Sequence, residues 1–140
     1  MLLDAVIKKI ELDLPSLNFI VNQEKHIIVI PPIHEEFGNI EIDNDNHEVT
    51  LYIGKFTHCH FGCSKEDLSD KEKAEEVAED VIEFLSDIFD EKVVMYGSHN
   101  GGGGCEYRDE QETDESRLDT RQWWLWSGPI SKETLNASIP

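Results

Sequence analysis

Apolar residues recur along the chain with two different periods, and the switches between them mark out its elements. From about Ser69 to Asp90 they fall at Ala74, Val77, Ala78, Val81, Ile82, Leu85, Ile88 and Phe89, the three-and-four spacing of one helical face. Such a stripe must be buried. Ser69 followed by Glu72 predicts a capping box at the start of this helix, and Ser64 with Asp67 offers a start about one turn earlier. At about 1.5 Å per residue the helix is about 30 Å long, enough to cross a small sheet.

The remaining pattern is strand-like. Ile27-Ile28-Val29-Ile30 is β-branched and apolar on both faces, which predicts a central strand, and Pro31-Pro32 ends it because proline brings no ladder donor. Leu17 to Val21 and the polar Asn22-Gln23-Glu24-Lys25 predict the arm and turn before it. Asn39 to Asp43 alternates apolar with polar, Asn44-Asp45-Asn46 is a turn, and one long arm is predicted to return from Glu48 to about His60. After the helix, Val93 to Tyr96 is a strand, broken by Gly97 to Asn100 and four glycines, with Cys105 to Arg108 returning beside it. Trp123 to Trp126 is the last strand, ended by Ser127-Gly128-Pro129. The first fourteen residues read two ways. Leu2, Leu3, Val6, Ile7 and Ile10 suit a short helix, while Ile10, Leu12 and Leu14 alternate like a strand.

These elements predict an α+β fold: an antiparallel sheet of about five to seven strands with one long amphipathic helix, residues 69–90, packed across one face. Residues 1–140 form a single domain in this reading, with a polar acidic loop at 109–122.

Composition agrees with a folded domain and narrows its partners. With 140 residues, 39% hydrophobic, the chain can build a core without staples. Its net charge of -18 repels phosphate, so nucleic acid and anionic membranes are excluded and a basic protein is favoured. The charge is uneven: twelve carboxylates and two lysines lie between Glu66 and Glu91, more than half of the excess. The longest apolar run, Ile27 to Ile33, is seven residues with two prolines, far too short for a bilayer. The N-terminal stretch lacks the pattern of a signal peptide, and three cysteines suit reduced thiols, so a cytoplasmic protein is expected.

Four stretches carry candidate chemistry. In Thr57-His58-Cys59-His60-Phe61-Gly62-Cys63 a continuing strand puts His58 and His60 on one face, where they can share a metal ion. A turn at Gly62 brings Cys63 back as a third ligand, and His99 and Cys105 complete a zinc-type set. No paired CxxC or HExxH supports it, and the competing reading is a strand end with small buried thiols. Gly97 to Cys105 reads as a flexible hairpin loop, because a phosphate loop also needs a lysine that is absent here. A Cys105 nucleophile with His99 as base is disfavoured by the negative surroundings. Trp124 and Trp126 share one face of a strand, as an exposed interface anchor or as core.

The fourth stretch is the helix face of Glu72, Glu75, Glu76, Glu79, Asp80, Glu83 and Asp87, either a solvated face or a docking surface for a basic protein. The expectation that follows is a non-enzymatic binding module, immunity- or inhibitor-like, monomeric or homodimeric, that needs no cofactor. The alternative is a metal-binding protein or small metal-dependent hydrolase built on His58 and His60.

Overall fold

Helix α1 (Leu2–Asp13) resolves the two-way reading of the N-terminal segment. Leu2, Leu3, Val6 and Ile10 face the core at helical spacing, and burying that stripe outweighs the short alternation of Ile10, Leu12 and Leu14. Leu12 stays 69% exposed. The computed structural model describes residues 2–45, 48–98, 103–108 and 121–137.

Five strands follow: β1 (Ile20–Asn22), β2 (Ile27–Ile30), β3 (Ile40–Asp45), β4 (Glu48–Ile53) and β5 (Thr57–Phe61). They form an antiparallel meander in the order β1-β2-β3-β4-β5. The long return arm expected from Glu48 to His60 is two strands, because the chain reverses at Gly54. That residue has φ +51°, its N–H donates to the Asn39 carbonyl at 2.8 Å, and a Cβ there would overlap the Phe37 carbonyl oxygen. Only glycine meets both demands.

Helix α2 (Asp70–Phe89) starts at the expected capping box: Ser69 Oγ accepts from Glu72 N–H at 3.2 Å, and Glu72 Oε1 accepts from Ser69 N–H at 3.1 Å. After it come β6 (Val93–Ser98), β7 (Gly103–Tyr107), β8 (Arg121–Leu125), β9 (Gly128–Ile130) and a short helix α3 (Lys132–Ala137). These strands make a second antiparallel sheet in the order β7-β6-β8-β9. The class is therefore α+β as expected, with the strands divided between two sheets. Gly128-Pro129, read as a strand end, belongs to β9, an edge strand where proline's missing N–H costs no ladder bond.

Strand register decides what each sheet buries. Ile28, Ile30, Ile40, Ile42, Val49, Leu51 and Ile53 point inward beneath α1 and α2, whose buried stripes complete the main core with Val93, Met95 and Trp126. A second cluster of Val94, Trp123, Leu125 and Leu135 fills the opposite side of the second sheet, where α3 covers it. The second sheet is thus packed on both faces. The first has its helices on one face only, and no described helix packs against the other. Among the described residues no helix is long and apolar enough to cross a membrane.

Candidate protein-binding surface

The uncovered face of the first sheet is built by alternation. On β3, Ile40 and Ile42 turn inward, so Glu41, Asp43 and Asp45 turn outward; on β4 the inward Val49, Leu51 and Ile53 leave Glu48, Tyr52 and the buried Thr50 on the outer side. On β5, Cys59 faces Leu51 on the inner side, while His58 pairs with Tyr52 and His60 with Thr50 on the outer side. Ile20 from β1 and the half-buried Ile27 and Val29 of β2 extend this face with apolar surface.

Tyr52 is 42% exposed, and no described helix covers it. Its ring lies 5.8 Å from that of His58, which lies 5.2 Å from His60. His60 is oriented by Thr50, whose hydroxyl meets Nδ1 at 3.0 Å, and Glu48 Oε2 stands 3.7 Å from the same nitrogen. At one end of the face, Pro32, Glu35, Glu41, Tyr52, Gly54 and Lys55 line an open hollow of about 610 Å³. An aromatic and imidazole strip ringed by carboxylates can stack on planar groups and pair with cationic ones.

The expected metal set does not assemble. His58 and His60 do share one face, but Cys105 lies on the inner side of the second sheet, packed toward the main core with Cys59. The chain does not turn back at Gly62; it runs on toward α2, where Cys63 Sγ donates to Glu76 Oε2 at 3.5 Å. His99 lies outside the described residues. Among the described residues no three His, Cys, Asp or Glu side chains are grouped to hold a metal ion. The inner thiol pair has its own chemistry. The neighbouring Cys105 thiol lowers the Cys59 pKa to about 7, against the effect of burial, while Cys59 and desolvation push the Cys105 thiol up.

The acidic face of α2 divides into occupied and unoccupied carboxylates. Glu72 belongs to the capping box, and the Ser69 hydrogen bonds hold its pKa below the usual carboxylate value. Glu76 pairs with Lys65 at 2.8 Å, which lowers the Glu76 pKa and raises that of Lys65. Asp87 accepts from Tyr107 Oη at 2.8 Å and stands 4.0 Å from Lys92 Nζ. Glu75, Glu79, Asp80 and Glu83 are exposed, and no salt bridge reaches them among the described residues.

Of Trp124 and Trp126, read as anchor or as core, Trp126 is enclosed and Trp124 is partly buried. Trp126 is 7% exposed, with its ring 5.0 Å from Phe37 and 5.1 Å from Phe89. Trp124 packs against the main core, 5.0 Å from Phe56. Phe37 and Phe89 enclose its ring, so Trp126 is withdrawn from any docking role. Tyr52, Glu41, Asp43, Asp45 and Glu48, which the sequence reading did not nominate, hold the surface instead. Their signal was present in the alternation of residues 39–43; what was missing is which face the helices leave bare.

No protein-family model, curated protein or solved structure matches the chain.

Proposed function

We propose that this chain is a binding module that engages a basic protein through the open face of its five-stranded sheet, with the acidic row on α2 adding long-range attraction. The observation that carries the reading is Tyr52, 42% exposed beside His58 and bordered by Glu41, Asp43 and Glu48, on a sheet face that no described helix covers. Aromatic side chains dominate the energy of interfaces, whereas rows of charge chiefly raise the association rate. The four unpaired carboxylates of α2, about 12 Å from Glu75 to Glu83, suit the second task better than the first. Covering the cationic working surface of its partner would make the module inhibitor-like or immunity-like.

The metal-dependent hydrolase stays the second reading, since among the described residues no three His, Cys, Asp or Glu side chains are grouped to hold a metal ion. The binding reading is tested by titrating isotope-labelled protein with nona-arginine as a cationic probe. Shift changes centred on Tyr52, Thr50, His58 and Asp43, weakening steeply with salt and abolished in Y52A/D43N, are expected. Changes confined to α2, or indifferent to Y52A/D43N, would overturn the assignment of the face.

A further inference from the structure

The two sheets belong to separate ladders, yet they meet along β5 and β7. A Cβ on Gly103 would overlap the Phe56 carbonyl oxygen, so the backbones touch at the start of this seam. Further along, Cys59 of β5 and Cys105 of β7 both pack against the main core, near enough for each thiol to shift the other's pKa. β5 and β7 therefore lie side by side here. Register puts both thiols on the inner side: Cys59 opposite Leu51, Cys105 opposite Met95. Two cysteines on neighbouring strands, facing the same side where a glycine allows close backbone approach, have the placement from which a disulfide can form.

We propose that Cys59 and Cys105 are a redox modification site: a low-molecular-weight disulfide such as glutathione disulfide oxidises them to one intramolecular disulfide that bolts the two sheets together. The thiolate of Cys59 attacks one sulfur of the small disulfide, forming a mixed disulfide and expelling one thiolate, which takes up the proton that Cys59 gave up. Cys105 then attacks Cys59 Sγ as its own proton leaves, and the second small thiol departs carrying that proton. Two electrons pass from the cysteine pair to the small disulfide, which ends as two thiols. The competing partner, Cys63, is turned toward Glu76 on α2 and does not face the seam.

The bridge closes a loop of roughly 45 residues, so the oxidised form should melt roughly 10 °C higher than the reduced form. The test treats the full chain with glutathione disulfide over a range of ratios to glutathione, traps free thiols by alkylation and maps the peptides. A peptide joined through Cys59 and Cys105, with Cys63 alkylated and the link reversed by dithiothreitol, is the expected result; C63S should behave like the native chain, and C105S should halt at a glutathionylated Cys59. A link through Cys63, a disulfide between two chains, or a mixed disulfide that persists in the native chain would each overturn the proposal, as would a reduced pair at every ratio.

Discussion

The Tyr107 hydroxyl of β7 donates a hydrogen bond to Asp87 Oδ2 of α2 at 2.8 Å, tying the edge of the second sheet to the helix that spans the core. The phenol pKa is raised above its ordinary value, because burial disfavours the phenolate and Asp87 accepts its proton. The fold therefore favours the neutral phenol. Its stabilisation is complete below the unfolded pKa of about 10 and is lost as pH rises through the raised folded value. Tyr107→Phe should lower stability by about 1–2 kcal/mol at neutral pH. It should also flatten the alkaline limb of a urea-melt pH series; an unchanged limb would place that dependence elsewhere.

Gly54 is predicted to tolerate no side chain. Its φ of +51° and the Phe37 carbonyl oxygen beside it oppose any Cβ, so Gly54→Ala should cost about 2–4 kcal/mol or prevent folding. Because the same residue makes the β4–β5 reversal, spectra of a folded variant should show the largest shifts at Tyr52, His58 and His60. Chemical denaturation and an amide correlation spectrum check both parts.

Trp123 and Trp126 should respond differently to substitution. The Trp123 indole N–H is buried with no hydrogen-bond partner among the described residues, so Trp123→Phe loses volume but no described bond and should cost less than about 1.5 kcal/mol. Trp126→Ala empties the junction between Phe37 and Phe89 and should cost about 3–5 kcal/mol. Equal costs in urea melts would contradict the packing described.

The α2 row should repel itself. Glu75, Glu79 and Glu83 stand four residues apart along the helix, the spacing at which like charges oppose each other. The native thermal midpoint should rise between about 0.01 and about 0.5 M salt, and E75Q/E79Q/D80N/E83Q should melt higher at low salt with a flatter dependence. A lower midpoint in the variant would show that these carboxylates are held by partners within the fold.

Helix α2 was fully legible in the sequence, since its apolar stripe and the Ser69–Glu72 box are local patterns that one helix must satisfy alone. So were the hairpin arms of β1 to β3 and the strand at Val93, where period-two patterning and turn residues act over short spans. The reversal at Gly54 was not, because its cause is the carbonyl of Phe37, seventeen residues away. Nor was the fate of Trp126, which depends on Phe37 and Phe89 arriving from two other elements. Cys59 illustrates the same limit: alternation alone separates it from His58 and His60, but only the meeting of β5 with β7 brings it to Cys105.

The sequence by itself determined the α+β class, the long capped helix, the excess of negative charge and its concentration near α2, all consequences of periodicity and composition within single elements. Tertiary structure alone decided that the strands divide into two sheets, that the described helices cover the second sheet on one side and the first on one face, and that Tyr52 is part-exposed while Trp126 is enclosed. The physical reason is that alternation assigns residues to two faces, but which face is buried depends on where the helices pack, and that is a property of contacts distant in the chain.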